Sequence, residues 1–244
     1  MNGSTRSKLF LGISSGIYFS TFLLGLTALP PGPWTHTVMA AVEKNPAQSN
    51  RSTQKAPAIK SIGTVSDVSG NAWIIRNSKK IPAQAGEPVF DGEDIITEDG
   101  AQVKLVLTKK EAAFLVKKES HLNIRKTSPD SWWIDLDHGM LLSYVKPSPS
   151  SSLKSRFQVK TRNAVMGVRG TIFFIKAEPN KDVFLCTCSG MVSIDNKAII
   201  IGKHHDSPKL IKAGPQPLAK RLLATEKGED HTDAEAAALA KLIE

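Results

Sequence analysis

Short stretches in which apolar and polar residues alternate are the feature that most restricts the fold of this chain. They recur over residues 62–145 at intervals of roughly 8 to 12 residues, separated by turn residues such as Gly70 and Asn71. In one stretch, Val103, Leu105 and Leu107 alternate with less apolar neighbours. A two-residue period places one row of side chains in a core and the next in water, as in a β-strand. The sequence therefore predicts an all-β fold, an antiparallel β sandwich or roll.

The most distinctive stretch is residues 161–175, which is predicted to contain a bend followed by a hydrophobic strand. Glycines spaced like Gly167 and Gly170 usually mark residues with a positive φ or a close approach of two chain segments. Arg169 is thus expected on a tight bend. There it either hydrogen-bonds neighbouring carbonyl groups or contacts an anion or partner through its planar guanidinium group. The candidate motif residues are Gly167, Val168, Arg169, Gly170 and Thr171.

The order of several segments resembles the FecR domain, a bacterial extracytoplasmic all-β module. The resemblance covers about residues 62–194 and is most specific at the Val-Arg-Gly-Thr sequence of residues 168–171. The supporting segments are GTVSDVSG at 63–70, GEPVFDGEDIIT at 86–97, AQVKLVL at 101–107, HGMLLSYV at 138–145 and SGMVSI at 189–194. The resemblance implies a non-enzymatic binding or sensing module in the bacterial envelope.

The first forty residues have the three-part pattern of a secretory signal peptide. Arg6 and Lys8 precede an apolar run over residues 9–29, and Val38 and Ala40 are suited to cleavage after Ala40. The alternative is an uncleaved anchor in the inner membrane formed by the apolar run, since a span needs roughly 20 predominantly apolar residues. We expect cleavage, which would place the protein in the periplasm or outside the cell.

Signal-transducing FecR proteins carry a cytoplasmic anti-sigma region before their membrane helix, whereas only a few residues precede the apolar run here. We therefore expect the exported module alone. Residues 41–59 are mostly polar, cannot bury enough apolar surface to order themselves, and are predicted to be a disordered linker. Residues 60–196 are predicted to form the FecR-like β domain, and residues 197–244 a C-terminal extension.

The extension is predicted to become helical after Pro208, and its clearest element is a helix over residues 232–243. A capping box supports this helix, because the Thr232 side chain can accept from the Glu235 amide while the Glu235 carboxylate reaches back. His231 stands directly before it, with carboxylates in the same turn. We interpret this group as a helix start; the alternative is a ligand cluster.

The formal net charge of the chain is +9, and loss of Arg6 and Lys8 with residues 1–40, which contain no acid, would leave +7. A basic surface suits an anionic envelope. The lysines are spread along alternating segments and not along a basic helix, which argues against nucleic acid as a partner. We identify no catalytic constellation, and no His-Glu-x-x-His metalloprotease motif is present. The chain is therefore not predicted to be an enzyme.

Cys186 and Cys188 are the two cysteines of the chain and its sharpest chemical feature. Residues two apart in a strand face the same side, at a Cα separation of about 6.5 to 7 Å. That is near the upper limit for a disulfide, which would require the strand to bend, as Gly190 could permit. An oxidising compartment favours the disulfide, and buried thiols are the other structural interpretation.

A metal or redox role for the same pair remains open. Two thiolates with one or two imidazoles, from His204 and His205, would suit zinc or copper. Haem contact is a further possibility, although the attachment sequence Cys-x-x-Cys-His is absent. Thiol exchange is the third possible role of the cysteine pair. We expect no cofactor, with metal or haem contact at Cys186 and Cys188 as the alternative.

The sequence thus predicts an exported FecR-type module whose partner is an envelope protein or a cell-surface ligand. Its contact with a membrane would be limited to the N-terminal segment, if that segment is not cleaved. One alternative is a metal- or redox-active periplasmic protein that uses the cysteine pair. Another is a structural cell-wall or glycan-binding protein, because the adjacent Trp132 and Trp133 could stack on sugars.

Overall fold

The computed structural model describes residues 60–147, 156–203, 208–225, 228 and 230–244. The described strands are β1 Gly63–Ser69, β2 Ala72–Arg76, β3 Lys79–Pro82, β4 Pro88–Val89, β5 Asp94–Thr97, β6 Gln102–Leu107, β7 Ala112–Val116, β8 Ser120–Ser128, β9 Ser131–Val145, β10 Phe157–Lys160, β11 Val165–Ala177, β12 Val183–Ile194, β13 Ala198–Lys203, β14 Pro208–Ile211 and β15 Leu222–Ala224. A short 3-10 turn, Thr108–Lys110, and two helices, α1 Leu218–Arg221 and α2 Asp233–Lys241, complete the described elements. The predicted all-β class is confirmed.

The predicted signal peptide or anchor and the predicted linker lie outside the described residues. Among the helices that are described, none is long and apolar enough to cross a membrane.

The described strands form one hydrogen-bonded network in which nearly every pair is antiparallel. Its longest path runs β15-β14-β12-β11-β10-β9-β7-β6-β1-β4, and β13, β8, β5, β2 and β3 branch from it. Among the described pairs, only β9 with β10 is parallel. Three long strands, β9, β11 and β12, hold the network together because each changes partners along its length. The first half of β9 pairs with β8 and β10, and its second half pairs with β7 and β11.

The main core lies on the inward face of this network and follows the predicted alternation. Val103, Leu105 and Leu107 are all buried in β6. In β9 the buried row contains Trp132, whose ring stacks on Phe157 with centroids 5.9 Å apart. Burying an aliphatic or aromatic side chain of this size contributes about 1.5 to 3 kcal/mol. The periodicity of the sequence therefore locates the main core correctly.

A second, smaller core lies on the outward face of the central strands, beneath α2. The helix contributes Ala236 and Leu239 to it, and the residues after the helix contribute Ile243. The sheet contributes Ala113, Leu115, Met140, Leu142, Phe174, Cys186 and Cys188. Because both faces of the sheet are covered here, all five residues of β7 are buried and its sequence is a continuous apolar run.

The C-terminal part contains more sheet and less helix than its sequence-based prediction. The sheet does not end at residue 196, because β13 and β14 both pair with β12. The segment after Pro208, predicted to be helical, begins as a strand that pairs with Val183 to Cys186. Only Leu218–Arg221 is helical before the sheet resumes as β15. Pairing with the edge of β12 outweighs the weak local preference for helix.

The predicted capping box at the start of α2 is present. The Glu235 amide donates to Thr232 Oγ1 over 3.2 Å, and the Thr232 amide donates to Glu235 Oε2 over 2.8 Å. These two bonds satisfy amide groups that the first helical turn leaves without intrahelical acceptors. The helix ends at Lys241, two residues before the predicted end at residue 243.

Thr187 provides a test of the core between the two cysteines. Its side chain is fully buried, and its hydroxyl has no hydrogen-bond partner among the described residues. Replacing Thr187 by valine should raise the free energy of unfolding by about 1 kcal/mol. The reason is that folding then no longer buries a hydroxyl that lacks a hydrogen-bond partner. Chemical denaturation measures this change.

Thr171 is the matched control, because its hydroxyl is also buried but makes hydrogen bonds. Thr171→Val should lower the free energy of unfolding by about 1 to 3 kcal/mol. If both valine variants are destabilised equally, the hydroxyl of Thr187 is satisfied and the prediction is wrong.

Candidate functional site

Two regions of the described chain bring candidate residues together. The first, which we call the outer patch, consists of Arg169, Met191, Ile199 and Ile201 on the outward face of β11, β12 and β13. The second, which we call the thiol–imidazole cluster, consists of Cys186, Cys188 and His231 beneath α2. Both lie on the outward face of the sheet and share β12.

The predicted bend lies in the middle of β11. The pairing of β11 with β12 shifts register between Arg169 and Ile172, and Gly170 between them has a φ of +55°. The hydroxyl of Thr171 lies 2.8 Å from the Arg169 carbonyl oxygen and accepts from the Met191 amide over 3.1 Å. The bend is therefore held by one buried side chain that bonds both strands.

Only one of the two motif glycines makes the bend. Gly167 lies in the paired part of β11, opposite Ser193, and its φ is not positive. The second glycine of the bend is Gly190 on β12, with a φ of +89°. A Cβ atom there would lie 2.3 Å from the Gly170 carbonyl oxygen. Two strands therefore come into backbone contact where a side chain would separate them.

The bend divides the motif between the core and the surface. Val168 is buried in the main core, whereas Arg169 is exposed on the outward face. The sheet register sets Arg169 beside Met191, and Met191 beside Ile201. Thr171 is buried and makes the hydrogen bonds described above. The regular geometry of paired strands thus places the motif arginine next to apolar side chains from two neighbouring strands.

The outer patch exposes large apolar side chains to solvent. Met191 is 40% exposed, Ile199 66% and Ile201 68%. Their neighbour Ile200 points the other way and is buried. Contiguous exposed apolar groups mark sites of association, and arginine is enriched in protein interfaces. These residues are not among the sequence-predicted site residues, although the run of three isoleucines at 199–201 is a usable signal.

The cysteine pair lies in the second core. Cys186 and Cys188 are buried, and their sulfur atoms face the same side, as predicted, 4.0 Å apart. A disulfide requires about 2.05 Å between the sulfur atoms, so the two cysteines are not joined by a disulfide in this structure. Cys188 is the extra residue of a β-bulge, because Thr187 pairs with Phe173 and Ser189 with Ile172. A bulge changes the direction of its side chain.

The imidazole beside this pair belongs to His231. Its Nε2 atom lies 3.5 Å from the Cys188 sulfur, and all three donor atoms of the cluster lie within 4.8 Å of one another. The His231 ring is buried and stacks on Phe174, with centroids 4.3 Å apart and an angle of 10° between the planes. His204 and His205, the predicted ligands, lie outside the described residues.

Three lysines connect α2 and its preceding turn to the sheet around the cluster. Lys117 Nζ donates to the Glu235 carboxylate over 2.8 Å, and Lys146 Nζ donates to the Ile243 carbonyl over 2.7 Å. Lys176 Nζ donates to the Asp230 carboxylate over 3.0 Å. Burial would raise the pKa of Glu235, but the hydrogen bond from Lys117 and those at Thr232 lower it below its ordinary value.

The electrostatics of the cysteine pair disfavour thiol exchange. The neighbouring Cys186 thiol and burial both raise the pKa of Cys188 well above its ordinary value. Reactive cysteines have the opposite property, because the thiolate is the nucleophile and a lowered pKa populates it. In the absence of a bound cation, Cys188 is therefore a protonated core thiol.

A second group of possible ligands, formed by His121, Asp137 and His138, is partly exposed. Asp137 accepts a hydrogen bond from Arg162 over 3.0 Å and lies 3.0 Å from His138. The hydrogen bond with His138 and the Arg162 guanidinium group outweigh partial burial and lower the pKa of Asp137. A cation would have to displace the guanidinium group, so this group is better explained as a surface ion-pair network.

The tryptophan pair does not form a sugar-stacking platform. Trp132 is 1% exposed, and its ring nitrogen donates to Glu111 Oε2 over 2.9 Å. Trp133 faces the other side of β9 and is partly exposed. Because adjacent residues of a strand point to opposite faces, the two rings cannot present one surface, and the glycan interpretation loses its structural basis.

Comparison with known proteins agrees with the resemblance seen in the sequence. Residues 93–192 match a family model described as FecR protein. The matched region begins just before β5 and ends within β12, so it contains the bend and the cysteine pair but not His231. No curated protein sequence matches the chain significantly.

Two crystal structures of a candidate anti-sigma factor from Parabacteroides distasonis ATCC 8503, at 2.50 and 1.65 Å resolution, are similar to part of the chain. Each has a TM-score of 0.41 and 15% sequence identity. The similarity covers 49% of this chain and 54% of each solved chain, so this chain spans about half the length of those structures.

Proposed function

We propose that this chain, whose residues 93–192 match the FecR family model, is a non-enzymatic binding or sensing module that acts by contacting another protein of the bacterial envelope. The FecR family is regulatory, which supports a role in signalling and interaction with other proteins. The observation that carries the proposal is the outer patch, where the family motif and exposed apolar side chains meet.

The chemistry of the patch defines the kind of partner. Met191, Ile199 and Ile201 supply an apolar centre. Arg169 lies beside them, and the exposed side chains of Lys197 and Lys203 lie at the two ends of β13. A protein surface with an apolar centre and acidic groups around it would complement this arrangement, since apolar burial supplies affinity and charge complementarity supplies orientation.

Export is the second element of the proposal. The first forty residues have the pattern of a signal peptide, and the basic net charge of +9 suits an anionic envelope. We therefore place the partner outside the cytoplasm. Determination of the N-terminus of the protein isolated from the native host tests this part, because cleavage after Ala40 leaves Ala41 as the first residue.

Site-specific photocrosslinking in the native host tests the contact. A photoreactive phenylalanine replaces Ile199 in the patch, and in the control it replaces Leu223, which is 38% exposed on β15. We expect a defined adduct with one envelope protein at position 199 and none at position 223. No adduct at position 199, or the same adducts at both positions, would contradict the proposal.

The partner identified in this way permits a quantitative prediction. The double variant Ile199→Ser and Ile201→Ser should bind it about 10- to 100-fold more weakly, because interface residues of this kind contribute about 1 kcal/mol or more each. Both side chains are exposed, so near-UV circular dichroism should not change. Leu223→Ser is the control and should bind normally. Unchanged affinity of the double variant would exclude the outer patch as the contact surface.

A further inference from the structure

We propose that Cys186, Cys188 and His231 bind one Zn²⁺ ion, which joins the segment before α2 to the FecR sheet. The inference goes beyond the proposed function and does not depend on the outer patch. It rests on the distances between the three donor atoms, on their burial and chemistry, and on the way in which the imidazole is held.

The distances match a tetrahedral zinc centre. With Zn–S near 2.3 Å and Zn–N near 2.0 Å, a tetrahedral angle places two sulfur ligands about 3.8 Å apart and a sulfur about 3.5 Å from a nitrogen. The corresponding distances in the protein are 4.0 Å between the two sulfur atoms and 3.5 Å from the Cys188 sulfur to His231 Nε2. These two distances are within a few tenths of an ångström of the tetrahedral values, and the third, from the Cys186 sulfur to the imidazole, lies within 4.8 Å.

The donor set and its surroundings suit a doubly charged, thiophilic cation. On binding, the two thiols release their protons to solvent, the two thiolates neutralise the charge of Zn²⁺, and a neutral imidazole adds none, so the complex has no net charge. The cluster belongs to the apolar core beneath α2, with Phe174, Ala236 and Leu239. A neutral complex is suited to this place, whereas an unpaired buried ion would be costly.

The imidazole is held in position by contacts that do not involve the cysteines. The His231 ring stacks nearly parallel on the Phe174 ring, with 4.3 Å between the centroids. Asp230, the preceding residue, is bonded through its carbonyl oxygen to Lys117 and through its carboxylate to Lys176. The Nε2 atom thus faces Cys188 because the surrounding structure orients the ring, as outer contacts do in metal sites.

The ligands come from two distant parts of the chain, which gives the site a structural consequence. His231 is 43 residues after Cys188, and the capping box of α2 begins at the next residue, Thr232. A cation bound to both segments would oppose separation of α2 from β12. Binding to the folded chain alone also stabilises it, by an amount that increases with the concentration of free Zn²⁺.

Zinc binding to the full processed chain tests the proposal. Purified protein is loaded with Zn²⁺, freed of excess metal by gel filtration and measured for metal content by mass spectrometry. We expect one Zn²⁺ per chain for the natural sequence and for Thr187→Val, the control between the two cysteines. The double variant Cys186→Ser and Cys188→Ser should retain none. Co²⁺ in place of Zn²⁺ should produce sulfur-to-metal charge-transfer absorption that is absent from this double variant.

A second variant keeps the test informative if the serine substitutions impair folding. His231→Phe retains an aromatic ring against Phe174 but removes the nitrogen ligand, so the Kd for Zn²⁺ should rise at least about 100-fold, beyond the usual effect of losing an outer contact. His121→Phe, in the partly exposed His121, Asp137 and His138 group, is the matched control and should bind normally. Zn²⁺ should raise the Tm of this control but not that of His231→Phe.

Three outcomes would overturn the proposal. They are stoichiometric Zn²⁺ in the double cysteine variant, equal Zn²⁺ affinity in His231→Phe and His121→Phe, and a natural chain that binds Cu⁺ but not Zn²⁺. Loss of patch binding in the crosslinking experiment would leave zinc binding unchanged, so failures of the two proposals are distinguishable.

Discussion

Replacing Gly190 by alanine is expected to lower the free energy of unfolding by about 4 kcal/mol, one of the two largest effects that the structure predicts. Two costs add at this position. The φ of +89° is unfavourable for any residue with a Cβ atom, and that atom would lie 2.3 Å from the Gly170 carbonyl oxygen. This oxygen belongs to the backbone, so relief requires β11 and β12 to move apart at the bend.

Gly86 separates the two costs, because its φ is also +89° but, apart from its chain neighbours, no described residue has an atom within 4 Å of the added Cβ position. Gly86→Ala should therefore cost only the backbone strain, about 1 to 2 kcal/mol. Urea denaturation of both variants measures the difference. Equal losses would show that β11 and β12 are not in backbone contact at Gly190, and the account of the bend would be wrong.

Replacing Phe174 by alanine is expected to lower the free energy of unfolding by about 3 to 5 kcal/mol. The ring is fully buried between the sheet and the segment that contains α2, and it is the surface on which His231 stacks. Its loss creates a cavity in the second core and removes the support of the imidazole. Hydrogen exchange should show faster opening of α2 in this variant than in the natural chain.

Phe184 is the control for this substitution. It packs edge-on against Phe174 with centroids 6.2 Å apart, but it is only partly buried. Phe184→Ala should therefore cost about 1 to 2 kcal/mol, in proportion to the smaller area removed from water. If the two alanine variants lose the same stability, the helix is not docked on Phe174 as the structure describes.

The two candidate sites are connected by the β11–β12 ladder. This ladder contains both irregularities of the region, the bend between Arg169 and Ile172 and the bulge at Cys188. The bend aims Arg169 at the outer patch, and the bulge aims a sulfur atom at His231. Departures from regular pairing thus produce both arrangements, which agrees with the frequent occurrence of bulges next to functional sites.

Much of the fold could be predicted from the sequence because its signals are local. Alternation identified the buried row of β6 and that of β9, and the capping box marked the start of α2. The position of Cys186 and Cys188 on one side followed from the two-residue period of a strand. In each case a few neighbouring residues carry all the information needed.

The errors arose where distant segments meet. The residues near Pro208 were expected to be helical, but the exposed edge of β12 captures them as β14. Trp132 is not available to a sugar because its ring packs on Phe157 and its ring nitrogen bonds Glu111, both from other parts of the chain. His204 and His205, predicted as ligands from their nearness to the cysteines in sequence, lie outside the described residues, and their role stays a prediction.

The sequence by itself determined the all-β class, the main core and the pairing of the two thiols on one face, since a pleated strand imposes these from its period alone. Only the tertiary structure decided that β12 carries both sites and that His231 reaches Cys188 across 43 residues of chain. The reason is physical: the position of an imidazole next to a sulfur atom depends on how α2 packs on Phe174, and no local pattern encodes a contact between surfaces that meet only after folding.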